Sequence, residues 1–352
     1  MSLDANVLSG VPQGSILGPL LFVLFINDMH LVVSPGTNIA LYADDTKIWR
    51  QISNDIDSDI LNKDIDALNM WASDNLMRFH PKKCKVISVA HKDKGFSTLP
   101  FYNYPYVIGV EILDYCEYEK DLGIHVHERL QWSMHYTSLL AKATQQFNLL
   151  RRTCHFVKNQ KHKRALYLTM VRSIFEHGSV LWSPSALSIM DKFEAIQKRS
   201  VKWILNEQFY SYSSEYYTQK LMDLDILPLA QKFVLNDMIL FYKILNNQVP
   251  VSLPSYITVR SNTRSCRHGS TYGIDMELVS QPIKNVFGRS FFPRCISTWN
   301  NLSSETKESE NIDIFKQSIK TYLWDLVING FEDSWESSDS VSYTHLTLPT
   351  KA

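Results

Sequence analysis

Two adjacent carboxylates, Asp44 and Asp45, sit in ALYADDTKIW (residues 40 to 49), between two short runs of apolar and aromatic side chains. Paired like charges repel and Asp is depleted from strands, so the pair stands there at a cost that a bound cation would offset. Taken alone the pair is weak evidence, because Asp is a common residue of solvated turns. Its surroundings favour chemistry. Tyr42 precedes it in a β-prone run, the glycine-bearing loop GVPQGSILGP (10 to 19) lies upstream, and an amphipathic Trp-containing stretch follows.

The elements that must position these residues are legible around them. GVPQGSILGP holds three glycines and two prolines and reads as a loop. The apolar run after it, unbroken to Ser34-Pro35-Gly36, predicts a buried helix. IALYA (39 to 43) and TKIW (46 to 49) predict a hairpin with the Asp pair at its tip, closed by an imperfect turn because neither Asp is followed by Gly. Ile56, Ile60, Leu61, Ile65, Leu68, Trp71 and Leu76 recur at helical spacing from Asn54 to Met77, with Ser53 or Asn54 as the cap. VISVA (86 to 90) predicts a strand, and YEKDLGIHV (118 to 126) a turn with a further strand. From Ser133 onward helices are expected, over 133–150, 160–178, 189–205, 229–246 and finally 312–327.

The 352 residues carry a formal net charge of +0, unevenly spread. Nine basic residues from Arg129 to Arg172 are uninterrupted by Asp or Glu, a local balance that suits phosphate. The five cysteines form no C-x-x-C pair, which predicts a reducing compartment without a disulfide framework. The longest apolar run, Gly18 to Ile26, is shorter than the ~20 residues that span a bilayer, so no membrane partner is expected. No signal peptide is visible, and an intracellular location, nuclear or cytoplasmic, is the expectation. His125, His127 and His135 with Cys116 match no usual zinc spacing, and alternating His on a strand suits a surface face.

GVPQGSILGPLLFVLFIND followed by ALYADDTKIW resembles the central motifs of the reverse transcriptases of non-LTR (LINE-type) retrotransposons. NLMRFHPKKCKVISVAHK (75 to 92) is similar to that family's next palm motif, with His80 where Asn is usual. EKDLGIHVHERLQWSMHY (119 to 136) is similar to the strand leading into the thumb, and residues 176–204 and 291–303 to later segments. The resemblance implies an α+β fold: a partial right-hand polymerase palm, made of a β-hairpin plus helices, then a helical thumb and a mostly helical C-terminal region. The corresponding boundaries are 1–128 for the palm, 129–258 for thumb and connection, 259–335 for the C-terminal region and 336–352 for a tail. From residue 341 that tail resembles a translated adapter.

The same resemblance implies RNA-directed DNA polymerase activity by two-metal nucleotidyl transfer, with an RNA template, a DNA primer and dNTPs as partners. The cofactor is then Mg²⁺, with Mn²⁺ as the alternative, since Mg²⁺ takes carboxylate and phosphate oxygens and needs few protein ligands. Asp44 becomes the direct metal ligand and Asp45 the weaker one, both catalytic. Gln13, Gly14 and Tyr42 would lie against nucleotide and template, and Lys83 would neutralise pyrophosphate, with Lys82 and Lys85 as rivals. Arg151, Arg152, Lys158 and Lys161 would contact duplex phosphates. The family also draws a further Asp from a strand ahead of the glutamine loop, which finds no match in residues 1–9. The expectation is therefore a C-terminal part of a polymerase, inactive by itself, whose partners include the missing N-terminal half. A non-catalytic nucleic-acid-binding remnant is the alternative.

Overall fold

The computed structural model describes residues 14–89, 104–207, 213–259, 274–276 and 290–332. Gln13, Cys266 and the tail beyond residue 332 lie outside the described residues. The fold is α+β and mostly helical, in two compact units, Met1–Trp132 and Ser133–Ala352.

In the first unit, α1 (Leu17–Ile26) runs into a 3-10 turn (Asn27–Val32), so the helix starts inside the stretch read as a loop. The expected buried helix is not buried: within α1 only Gly18 and Ile26 are, while Leu24 is 64% exposed. A helix apolar all round carries more apolar surface than one neighbour can cover. Here Phe22, Ile26 and Met29 take the contacts with Leu68, Trp71 and Ala72. The chain then turns at Ser34-Pro35-Gly36-Thr37, where the Thr37 N–H donates to the Ser34 carbonyl at 3.0 Å. Pro at the second position and Gly36 at φ +86° at the third give a type II turn.

Strands β1 (Thr37–Tyr42) and β2 (Asp45–Arg50) pair antiparallel with Tyr42 opposite Asp45, Leu41 opposite Thr46 and Ile39 opposite Ile48. Ile39, Leu41 and Ile48 face the core around Trp71, which fixes the register. Helix α2 (Asp55–Asp74) is capped by Asn54, whose side chain accepts from the Asp57 N–H. It ends with Leu76 at φ +57° and the Met77 N–H bonded to the Ala72 carbonyl at 2.7 Å, a left-handed stop made without glycine.

Of the strand expected over 86–90, whose last residue lies outside the described residues, residues 86–89 hold only the end of β3 (Lys85–Val86), paired in parallel with β6 (Asp114–Tyr115). Strands β4 (Val107–Ile108) and β5 (Glu111–Ile112) form a small hairpin. Strands β7 (Tyr118–Asp121) and β8 (Ile124–His127) form another, closed by Leu122 and Gly123, both at positive φ. That sign pattern matches the right-handed twist of a two-residue hairpin. His127 is buried rather than on a surface face, because Glu117 accepts from its Nε2 at 3.0 Å and its Nδ1 accepts the Arg129 N–H at 2.9 Å.

The second unit is built of α3 (Ser133–Thr153), α4 (Gln160–Tyr167), a π-turn (Leu168–Arg172), short α5 (Ser173–Glu176) and α6 (Ser179–Trp182), and α7 (Leu187–Leu205). It continues through α8 (Ser214–Asp223), α9 (Leu229–Leu245), the strands β9 (Ile257–Val259) and β10 (Ile274–Met276), α10 (Phe291–Asn300), α11 (Ser304–Lys307) and α12 (Ile312–Glu332). Leu139, Ala143, Phe147 and Leu150 bury one face of α3, as their spacing predicts. Trp182, Phe193 and Phe233 meet edge to face at the centre. The four described cysteines are free thiols. Among the described residues no helix is long and apolar enough to cross a membrane.

Candidate active site

The Asp pair stands at the tip of the β1–β2 hairpin. Ala43 and Asp44 form the two-residue loop, and Asp45 opens β2. Ala43 has φ +51°, a left-handed backbone without glycine, so the tip is held in a conformation that costs ~1 kcal/mol or more. The period of two puts Tyr42, Asp45, Lys47 and Trp49 on the exposed face and Leu41, Ile39 and Ile48 on the other. Tyr42 is 67% exposed. Asp44 and Asp45 are exposed, and neither carboxylate has a hydrogen bond or ion pair among the described residues. Both are thus open to a hard cation, but among the described residues no group of three His, Cys, Asp or Glu side chains is gathered to hold one. The donor chemistry fits a divalent cation that takes its remaining ligands elsewhere.

What the tip lacks in partners the base has in excess. Asp64 of α2, 2% exposed, accepts from the Ser34 N–H at 2.8 Å, the Ser34 hydroxyl at 2.7 Å and the Thr37 hydroxyl at 2.5 Å. Arg50, across from Thr37, donates through Nε to Asp57 at 3.2 Å and through Nη1 to the Pro35 carbonyl at 3.0 Å and to Thr37 Oγ1 at 3.2 Å. The Ser53 N–H, aided by the Arg50 guanidinium, holds the Asp57 carboxyl below its ordinary range. Hairpin and helix are locked together by charge-assisted bonds. On the exposed face, Lys47 forms an ion pair with Asp121 at the end of β7. Sequence reasoning missed Asp64 and Arg50; the Ser-Pro-Gly-Thr turn was the signal that the chain reverses beside them.

Of the other expected residues, Gly14 is described, at φ +84° with open space where a side chain would stand. Lys82 and Lys83 are exposed in the short 3-10 turn Pro81–Lys83, without a carboxylate partner among the described residues. Lys85 is engaged by Asp114 at 2.8 Å. The hairpin tip and Lys83 share no hydrogen bond or ion pair. In the second unit Arg151, Arg152, Lys158 and Lys161 are all exposed, with no carboxylate partner among the described residues.

Residues 5–168 match the family model described as reverse transcriptase (RNA-dependent DNA polymerase). Over those residues, a little under half of the chain, the sequence is similar to the reverse transcriptase family. The relatives it matches are RNA-directed DNA polymerases of mobile elements. The probable RNA-directed DNA polymerase from transposon BS of Drosophila melanogaster is 28% identical over 223 residues, 59% of this chain and 24% of the relative. The RNA-directed DNA polymerase from mobile element jockey of the same organism is 24% identical over 217 residues, 58% of this chain and 22% of the relative. The probable polymerase from transposon X-element, also from Drosophila melanogaster, is 24% identical over 218 residues, 60% and 23% of the two chains. The matched stretch is thus about a quarter of the length of each curated relative. No solved structure matches the chain.

Proposed function

We propose that this chain is part of a retrotransposon RNA-directed DNA polymerase and that Asp44 and Asp45 are its metal-binding carboxylates. The observation that carries this reading is the unpartnered Asp pair on the tip of a hairpin whose base is locked, in a segment of reverse transcriptase sequence. A divalent cation bound there, Mg²⁺ or Mn²⁺, supplies activation of the attacking hydroxyl and steadies the triphosphate leaving group. The first unit acts as part of the palm. Its exposed hairpin face presents Tyr42 beside Asp45, where an aromatic ring can pack on a primer terminus or an incoming dNTP. Gly14 leaves room for close backbone approach, with Gln13 beside it in sequence, and Lys83 offers a charge to pyrophosphate. The helices of the second unit serve as thumb and connection, and Arg151, Arg152, Lys158 and Lys161 meet the phosphates of an RNA–DNA primer–template.

Two carboxylates are fewer than a pair of cations needs, so catalysis depends on a further carboxylate from the remainder of a longer polymerase. Primer extension on an RNA template with Mg²⁺ tests this, run beside the variant carrying Asp44→Ala and Asp45→Ala. The chain by itself should bind primer–template and extend nothing. Extension by the chain alone that disappears in the double variant shows that the two carboxylates need no further partner. Extension that survives the double variant removes Asp44 and Asp45 from the chemistry.

A further inference from the structure

Phe147, on the buried face of α3, carries two guanidinium groups. Arg151, one turn further along α3, has its Cζ 5.9 Å from the ring centroid. Arg199, from α7, has its Cζ 6.0 Å from the same centroid. The two cations therefore come within about 12 Å of each other at most, although they belong to helices separated by a long stretch of chain. Both are exposed, and neither has a carboxylate partner among the described residues. The aromatic face attracts each guanidinium, yet two like charges around one ring repel, and an anion between them removes that repulsion. Arg151 also borders an open concavity with Gln145, Asn148 and Arg152, so amide donors and a further guanidinium adjoin the Arg151 side of the ring. The Phe147 ring, packed edge to face on Trp203 at 6.3 Å, fixes the base on which both stand.

We propose that Arg151 and Arg199 form a two-helix clamp for a single phosphodiester group of a nucleic-acid backbone, which brings α7 into the duplex-binding surface. Nothing in the basic run from Arg129 to Arg172 points to Arg199, and only the fold joins them. The proposal rests on the reading that the second unit grips a primer–template, and it adds a residue, a helix and a stoichiometry to that reading. Guanidinium forks suit this task because their planar donors match phosphate oxygens in pairs.

The test is the affinity of the full chain for an RNA–DNA primer–template as a function of salt, for the wild type, Arg151→Gln, Arg199→Gln, the double variant and Arg199→Lys. Each single Gln variant should bind about 10-fold more weakly, with the log–log salt slope reduced by about one phosphate contact. The double variant should lose little more than either single, because both side chains hold one phosphate. Arg199→Lys should keep the slope and lose part of the affinity, since it retains the charge and not the fork. Unchanged melting temperatures exclude a folding defect. An Arg199→Gln variant that binds as the wild type does, or losses in the double variant that add in full, overturns the shared clamp while leaving the broader grip intact. Absence of salt-dependent binding by the wild type overturns both.

Discussion

Tyr42 and Asp45 stand directly opposite each other across the β1–β2 hairpin, both on its exposed face, with Ala43 and Asp44 as the loop between them. An acid and an aromatic ring are thereby held side by side by backbone register. Shifting that register by one residue would turn Ile39 and Ile48 outward, which their burial against the Trp71 cluster opposes. The chemistry of the tip is thus specified by the packing of the opposite face.

Ala43 is where this geometry is most expensive. At φ +51° a side chain branched at Cβ is the worst fit and glycine the best. Ala43→Val should destabilise the first unit by about 1 kcal/mol or more. Ala43→Gly should be neutral or stabilising by up to about 1 kcal/mol, the relief of strain offset by the greater freedom of the unfolded chain. Urea unfolding followed by Trp fluorescence measures both, and equal destabilisation by Val and Gly would show that the tip is not strained.

Removing Asp64 should unlock the base of the hairpin. Its carboxylate accepts three bonds from Ser34 and Thr37 in a buried setting, and Asp64→Ala leaves those donors without it. The expected cost is about 3 kcal/mol or more. Hydrogen exchange should then quicken at the backbone amides of β1 and β2 before it does in the second unit. Protection that stays unchanged in the hairpin would mean that apolar packing alone holds it.

A pH effect is expected in the second unit. Burial raises the Asp237 carboxyl from its ordinary 3.8 to about 6, against the lowering influence of Arg294, which donates to it through Nε at 3.1 Å and Nη2 at 3.2 Å. A carboxyl that binds its proton more tightly when folded contributes most stability below its unfolded value and loses that contribution as pH rises through the folded one. Stability should therefore fall between about pH 4 and pH 6, by at most about 3 kcal/mol. Denaturant midpoints across that range, compared with those of Asp237→Asn, provide the check. The slope should flatten in the variant, and an equal slope in both proteins would assign it to other groups.

The hairpin, its position under the Asp pair and the helices around residues 55–74 and 133–153 were legible because they rest on local periodicity and on one unusual dipeptide. The exposure of α1 was not legible in the same way. A uniformly apolar segment reveals its helical length but not how much of its circumference a neighbour covers, and Leu17, Leu20 and Leu24 are left outside. Helix ends were obscured for a different reason: Leu76, Asn206, Asp225 and Asn247 take the left-handed position that a reader assigns to glycine. Asp64 looked like one more acid of a charged helix, and His127 like a surface residue. Each owes its role to a partner far along the chain, Ser34 for one and Glu117, with the Arg129 amide, for the other. Arg199 was invisible because its neighbour is a ring on another helix.

The β1–β2 hairpin is, mechanically, a cantilever. Its fixed end is the Thr37–Arg50 pair, bolted to α2, and its free end is the Ala43–Asp44 loop, six strand residues away. At ~3.3 Å per residue the tip lies about 20 Å from that pair. A rotation of about 3° at the fixed end therefore displaces the carboxylates by about 1 Å, a misplacement that can cost about 100-fold in a reaction that depends on alignment. The placement of the acidic tip is thus set both by the apolar packing beneath the strands and by the bonds at their far end.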